Sequence, residues 1–286
     1  MDTPSQPSVV LPATFAFDRV ILRVMVGDRG LDFILDSGAA GIFIDSEVVK
    51  ELGLKSSASF SAVTAGRYQT SFATIPEMRV GDLTMRNVAV EAGPLAYDFG
   101  PYTLERTKAV GLIGYDFLRS IGVTIDYAHR RATAYPAGKY VPPVMTPESD
   151  ILPIRLGDHV PEISATINSA PAEHILVDTG ASSFMVFDYF ALRFPEALST
   201  RVTTRVNNLD YVPQGVGGGF ETKHILLQEV DVGRYHLPKI DTLQVISPRR
   251  FQFNLDGLVG SDFLEHFTVG FDYAGGKMYL VHNEGQ

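Results

Sequence analysis

The stretch LDFILDSGAAGIFID, residues 31–45, places one acidic side chain, Asp36, between an apolar run and a group of small residues. The apolar run is typical of a buried strand, and the small residues that follow are typical of a tight turn. An aspartate at such a place can serve the turn alone, because its side chain hydrogen-bonds to nearby backbone groups. A chemical role for Asp36 therefore needs support from elsewhere in the chain.

An internal repeat provides that support. The stretch HILVDTGASSFMVFD, residues 174–188, repeats the pattern and places Asp178 where the first copy has Asp36. A second pair of segments lies downstream at nearly the same separation, GLIGYDFLRSIGVTIDY at 111–127 and GLVGSDFLEHFTVGFDY at 257–273. Two pairs of matching segments in register indicate two structurally related halves.

Most of the chain has the pattern of short strands. β-branched and aromatic residues alternate with Gly, Pro, Asn and Asp breaks at hairpin spacing, as in NVAVEAG at 87–93 and TVGFDYAGGKMYLV at 268–281. Helical segments are few and short, so the sequence predicts an all-β protein. Four aspartates stand where these helices are predicted to begin, and N-capping is their expected role: Asp45, Asp116, Asp188 and Asp262.

A proline-rich segment separates the two copies. YPAGKYVPPVMTPESD, residues 135–150, contains four prolines and a glycine and is incompatible with a helix or a central strand. The predicted division is a polar tail at 1–13, an N-terminal lobe at 14–136, a linker at 137–150 and a C-terminal lobe at 151–286.

Composition excludes several classes of function. With 286 residues, 45% of them hydrophobic, the chain can bury a substantial core. The net charge of −9 and the lack of a Lys/Arg run argue against nucleic acid as a partner. The absence of cysteine excludes disulfides, thiolate zinc sites and a cysteine nucleophile. The seven histidines show no metal-ligand spacing, so no metal and no cofactor are predicted.

Other motifs are missing as well. There is no Gly-x-Ser-x-Gly elbow, and the glycines at 215–219 are not followed by the Gly-Lys-Ser/Thr of a phosphate loop. No apolar run approaches the about 18 residues of a membrane span. The opening MDTPSQPSVV has no signal-peptide pattern but is typical of the tail after a removed one. A trimmed chain would be periplasmic or otherwise extracytoplasmic, and an untrimmed one cytoplasmic.

The duplicated motifs resemble those of the aspartic proteases. LDSGA and LVDTGA, each followed by LIGYDFL or LVGSDFL, are similar to the retropepsin-like branch found in bacteria. The resemblance implies two pepsin-like β-barrel lobes, related by a pseudo-twofold axis, with a cleft between them. Because both motifs lie in one chain, as in pepsins, a monomer is expected to suffice for activity.

The resemblance also implies roles for individual residues. Asp36 and Asp178 would be the catalytic pair, Ser37 and Thr179 would lock the two loops together, and Gly38 and Gly180 would permit tight turns. Small residues follow at Ala39 and Ala181, and the strand that supports each loop ends at Ile113 and Gly114 or at Val259 and Gly260. The expected cleft-covering hairpins are 63–70, with Gly66 and Tyr68, and 213–223, with Gly217, Gly218 and Gly219. An ordinary surface hairpin is the alternative for both.

Hydrolysis of a peptide bond by water explains why such a site needs two carboxyl groups. Two carboxyls in contact hold one proton between them, so one can act as base toward water and the other as acid toward a peptide carbonyl. Ala39 and Ala181 lack the hydroxyl that pepsins often have there, which predicts a raised pKa and an optimum from weakly acidic to near neutral.

The expected partner is a peptide or protein substrate, bound as an extended strand with apolar residues at the scissile bond. The segment 93–110 is predicted to be an insertion that lines or covers the cleft. The competing interpretation is a peptide-binding or scaffold protein that no longer cleaves. Retention of both like-charged residues favours the enzyme.

Overall fold

The computed structural model describes residues 1, 6–16, 18–63, 67–95, 108–199, 214–215, 218–219, 222–246 and 254–283. Strands dominate this part of the chain, and its helices have four to six residues each. The prediction of an all-β fold with few short helices is confirmed. None of the helices in these ranges has the length and apolar character needed to cross a membrane.

The first half of the chain forms eleven of the described strands and two short helices. In chain order these are β1 (Val9–Val10), β2 (Ala13–Ala16), β3 (Arg19–Val26), β4 (Arg29–Leu35), β5 (Ile42–Asp45), α1 (Ser46–Glu51), β6 (Phe60–Val63), β7 (Arg67–Val80), β8 (Leu83–Gly93), β9 (Ala109–Ile113), α2 (Tyr115–Leu118), β10 (Ile121–Asp126) and β11 (Arg131–Pro136).

The second half repeats much of this order. Its elements are β12 (Asp150–Pro153), β13 (Arg155–Gly157), β14 (Val160–Ile167), β15 (Ala170–Val177), β16 (Met185–Phe187), α3 (Asp188–Arg193), α4 (Pro195–Ser199), β17 (Gln214–Gly215), β18 (Gly218–Gly219), β19 (Thr222–Val232), β20 (Tyr235–Val245), β21 (Gly257–Val259), α5 (Ser261–Leu264), β22 (Phe267–Asp272) and β23 (Lys277–His282).

Each half closes a ring of six strands. In the first barrel the order is β3-β4-β9-β5-β8-β7, and β7 pairs again with β3. In the second barrel the order is β14-β15-β21-β16-β20-β19, and β19 pairs again with β14. The topology is the same in both: β9 runs parallel to β4 and antiparallel to β5, and β21 has the same relation to β15 and β16.

A third sheet joins the halves. Its order is β1-β11-β10-β22-β23-β12, so three strands of the first half lie beside three strands of the second. The contact between copies is the antiparallel pair β10–β22, in which Val123 faces Phe271 and Ile125 faces Val269. The largest apolar cluster runs through both barrels and this sheet. The two copies therefore share one continuous core.

The sequence predicts a polar tail over residues 1–13, but strand structure begins within that range, at β1. Val9 and Leu11 are buried, and the Leu11 N–H donates to the Ala132 carbonyl at 2.9 Å. The segment 137–149 contains no helix or strand. Its Tyr140 hydrogen-bonds with the Thr124 hydroxyl at 3.0 Å, which fixes the connecting segment on the third sheet.

Only one of the four predicted helix caps is correct. The Asp45 carboxylate accepts from the Glu47 N–H at 2.8 Å and caps α1. The prediction is wrong for Asp116, Asp188 and Asp262, which lie in the first turns of their helices without capping them. The residue at the cap position of α2 and α5 is a glycine. Asp262 accepts instead from the Phe184 N–H at 2.8 Å and so ties α5 to a neighbouring loop.

Candidate active site

Two equivalent loops carry the predicted aspartates. Strand β4 leads into loop 1 (residues 36–41) and β15 leads into loop 2 (residues 178–183). The Asp36 N–H donates to the Ile113 carbonyl at 3.1 Å, and the Asp178 N–H donates to the Val259 carbonyl at 3.0 Å. Strands β9 and β21 therefore hold the start of each loop in the same way.

The loops meet face to face. A Cβ atom on Gly38 would lie 2.6 Å from the Asp178 Cγ, and one on Gly180 would lie 2.6 Å from the Asp36 Cγ. Each carboxyl therefore occupies the space that a side chain on the opposite loop would need. A side-chain hydrogen bond links the two carboxyls. The structure thus brings together the two aspartates that the sequence pairs, here called the carboxyl pair.

A reciprocal hydrogen-bond lattice fixes the loops. The Ser37 hydroxyl donates to the Val177 carbonyl at 2.7 Å and accepts from the Thr179 N–H at 3.0 Å. The Thr179 hydroxyl donates to the Leu35 carbonyl at 2.7 Å and accepts from the Ser37 N–H at 3.0 Å. Both side chains are 1% exposed, so four buried hydrogen bonds cross between the halves directly beside the carboxyl pair.

Burial and mutual repulsion shift the titration of the pair. Burial, and then the charge and hydrogen bond of Asp178, raise the pKa of Asp36 well above its ordinary value. Burial also raises the pKa of Asp178, against the opposing effect of the Gly180 N–H, which donates to its Oδ1 at 2.8 Å. The Asp36 Oδ1 atom is buried without a hydrogen-bond partner among the described residues. The arrangement favours retention of a proton by the pair at weakly acidic pH.

The glycines that follow β9 and β21, Gly114 and Gly260, pack directly against loop 1 and loop 2. A Cβ on Gly114 would lie 2.8 Å from the Asp36 carbonyl oxygen, and one on Gly260 would lie 2.9 Å from the Ala181 carbonyl oxygen. Ile113 and Val259, just before them, are fully buried. All four residues that the sequence assigns to the loop supports are therefore in contact with the loops or in the core beside them.

Comparison with known families adds an independent observation. Residues 22–117 match the model of a family described as aspartyl protease. The matched range contains Asp36, β9 and Gly114, and it ends before the second copy begins. This match supports an aspartyl protease family and a protease function in general. No curated protein matches the chain.

Two apolar clusters, separate from the main core, flank the carboxyl pair. The first side cluster consists of Ile21, Ile34, Phe43, Tyr68, Leu95, Ala109 and Leu112, with Ala39 packed against it. The second side cluster consists of Val160, Leu176, Phe187, Val245, Leu255 and Leu258, with Ala181 and Met185 packed against it. The alanine after each loop glycine therefore connects loop 1 or loop 2 to an apolar cluster.

The predicted cleft covers are described in part. At these places β6 pairs antiparallel with β7 and β17 pairs antiparallel with β18, and Gly218 and Gly219 form β18. Gly66, Gly217 and residues 96–107 of the predicted insertion lie outside the described residues. Tyr68 is buried, its hydroxyl donates to Glu91 Oε1 at 2.9 Å, and its ring meets Phe43 edge-on. It belongs to the first side cluster.

Three further residues near the pair were not singled out from the sequence. Arg19 is 7% exposed, and its charge lowers the pKa of both aspartates. Tyr127 and Tyr273 end the repeated segments in equivalent places, and their hydroxyls are buried without a partner among the described residues. Burial raises the pKa of both tyrosines; the Arg19 charge opposes this at Tyr127, the charge of Asp178 adds to it at both, and the charge of Asp36 adds to it at Tyr273. The repeat itself is the sequence signal that marks the tyrosines.

The described ranges hold no group of His, Asp and Glu side chains arranged to bind a metal ion. The polar groups at the pair are carboxyls, hydroxyls and backbone N–H groups. This set can bind a water molecule and move protons, which is the chemistry that two carboxyls sharing one proton provide.

Proposed function

We propose that the chain is an aspartic endopeptidase in which Asp36 and Asp178 activate a water molecule to hydrolyse peptide bonds of an extended polypeptide. The observation that carries the proposal is the facing pair of buried carboxyls, each packed on the glycine of the opposite loop. The family match of the first copy supports the same assignment.

The reaction needs one proton on the pair. The ionised carboxylate accepts a proton from water as the water oxygen attacks the peptide carbonyl carbon, and the carboxylic acid donates its proton to the carbonyl oxygen. The resulting tetrahedral diol transfers a hydroxyl proton back to the ionised carboxylate, while the other carboxylic acid protonates the amide nitrogen. The C–N bond then breaks. The products are a carboxylic acid and an amine, and the pair again holds one proton.

The surroundings of the pair support a substrate with apolar residues on both sides of the cleaved bond. The first and second side clusters lie next to loop 1 and loop 2 through Ala39 and Ala181. An extended peptide that adds a strand across the loops would place alternate side chains toward these apolar clusters. Both aspartates belong to one chain, so we propose a monomeric enzyme of two lobes that needs no cofactor.

Incubation with a peptide library across pH, with cleavage products identified by mass spectrometry, tests the proposal. We expect internal cleavage between apolar residues, strongest from weakly acidic to near-neutral pH, and loss of cleavage with a statine-type inhibitor. Chelation of metal ions is the control and should leave cleavage unchanged. Binding of peptides without cleavage at any pH would favour the scaffold interpretation instead.

A further inference from the structure

Arg19 crosses from the first barrel to loop 2. It begins β3, yet its guanidinium donates to the Ser182 hydroxyl of loop 2 at 2.9 Å and lies 3.5 Å from the Ser261 hydroxyl. The Ser261 N–H in turn donates to the Ala181 carbonyl at 2.9 Å. A permanently charged side chain is therefore held, almost wholly buried, against the loop that carries Asp178.

The other half makes a similar crossing with different chemistry. His159 immediately precedes β14, as Arg19 begins β3, and its ring stacks on Tyr115 at 4.6 Å with an interplanar angle of 7°. Tyr115 begins α2, as Ser261 begins α5, so the two contacts occupy equivalent places. The His159 residue is exposed, whereas Arg19 is buried. The pseudo-symmetric fold thus has a buried cation beside loop 2 and a stacked aromatic pair beside loop 1.

We propose that Arg19 is a positioning residue that sets the pH range of the carboxyl pair, because its buried charge beside loop 2 favours ionisation of the pair. The inference rests on the proposed function, since it concerns the protonation state that the reaction needs. The interaction does not require contact between Arg19 and substrate. It acts through Asp36 and Asp178, and it is stronger than a surface interaction because burial reduces screening by solvent.

The direction in which the Arg19 charge shifts the aspartate pKa values agrees with this proposal. Burial raises the pKa of both aspartates, and the Arg19 charge opposes this shift at both. Other titratable or charged groups face Arg19, the pair or the elements packed against them: Tyr115, Asp116, Arg119, Tyr127, His159, Asp262, Glu265, His266 and Tyr273. Asp116 lies closest to loop 1, where a Cβ on Gly41 would be 3.3 Å from its Oδ2, and it pairs with Arg119. Burial raises the pKa of Tyr127 and Tyr273, so both hydroxyls are neutral throughout the range in which the pair titrates. Glu265 acts on Tyr127, and the Asp262 carboxylate is bound to the Phe184 N–H.

Replacement of the charge tests the proposal. In Arg19→Gln we expect both limits of the pH profile of kcat/KM to move upward by about half a unit to one unit, because the charge that favours ionisation is gone. Arg19→Lys keeps a cation and should restore limits close to those of the wild type. A purely structural role would lower activity or stability in both variants without moving the limits.

A second variant covers the case in which Arg19→Gln does not fold. Ser182→Asp keeps Arg19 and gives it a carboxylate partner within reach of the present 2.9 Å contact. Pairing neutralises the cation, so both pH limits should again rise. Arg193→Gln is the matched control, because it breaks another arginine contact in the second half, the 2.8 Å bridge to buried Asp256. It should lower stability and leave the limits unchanged.

Titration of ¹³C-labelled aspartate carboxyls by NMR separates this inference from the proposed function. If the wild type cleaves no peptide but Arg19→Gln raises the titration midpoints of the pair, the proposed function fails and the electrostatic role stands. If the wild type cleaves and neither its pH limits nor its carboxyl titrations move in Arg19→Gln and Ser182→Asp, the inference is overturned.

Discussion

Burial of the Asp36 carboxylate lowers the free energy of unfolding by an amount that depends on pH. Its pKa is raised in the folded chain, so the folded state binds the proton more tightly than the unfolded state does. The cost is absent below the unfolded pKa of about 3.9 and grows as pH rises toward the folded pKa. Asparagine in its place carries no charge at any pH.

We therefore expect Asp36→Asn to melt a few degrees above the wild type at pH 7 and together with it near pH 3. Differential scanning calorimetry at the two pH values measures this.

Asp231→Asn is a control of opposite sign, because hydrogen bonds from His236 and Thr166 lower the Asp231 pKa. That exposed carboxylate stabilises the fold at neutral pH, so its loss should lower the melting temperature slightly. A lower melting temperature for Asp36→Asn at pH 7 would contradict the burial argument.

The loop glycines make a second prediction at the residue scale. Alanine at Gly38 or Gly180 places a methyl group on the opposite carboxyl, which must move. We expect either variant to lose at least about a hundredfold in kcat/KM, since small displacements of reacting groups have effects of this size. Gly30→Ala is the control, because its Cβ would meet only the flexible ends of the Arg23 and Met25 side chains. Retained activity in Gly38→Ala would show that the carboxyls need not face each other.

At the scale of elements, the Ser37–Thr179 lattice joins the two loops. Removal of either hydroxyl leaves a buried N–H and a buried carbonyl without their partner, so Ser37→Ala or Thr179→Ala should each lower the free energy of unfolding by about 1–3 kcal/mol. Urea denaturation measures the change. Thr179→Ser keeps the hydroxyl and should cost less. In the double variant the losses should be less than additive, because the two residues share hydrogen bonds. Full additivity would contradict the lattice.

Sequence reasoning identified the elements whose pattern repeats. The carboxyl pair, the loop glycines and the ends of β9 and β21 all lie in duplicated motifs, and the structure brings them together. Three of the four helix caps were predicted wrongly, because an aspartate near a helix start has the same local pattern whether it caps the helix or bonds another segment. Asp262 shows the second case.

The contacts that could not be predicted from the sequence join distant parts of the chain. Arg19 reaches Ser182 across 163 positions, and no local pattern marks either residue for the other. The third sheet is similar, because β10 and β22 are ordinary strands whose pairing depends on how the two barrels meet. Such contacts follow from tertiary structure rather than from periodicity or turn chemistry.

The whole molecule combines two equivalent barrels, one shared sheet and both aspartates in a single chain. We therefore expect specific activity to stay constant over about a thousandfold dilution, because an enzyme complete in one chain has no association equilibrium. Cleavage rate per chain against concentration, with molar mass from light scattering, measures this. A retropepsin-like dimer that supplies one aspartate per chain would lose specific activity on dilution, and that outcome would contradict the single-chain site.

The central claim is that Asp36 and Asp178 act on one water molecule. The most direct measurement is kcat/KM of Asp36→Asn and Asp178→Asn on the best library peptide, with folding checked by circular dichroism. Each variant should lose activity by about a thousandfold or more while it stays folded and still binds peptide, because either substitution alone removes the shared proton chemistry. Activity within about tenfold of the wild type in either folded variant would contradict the claim.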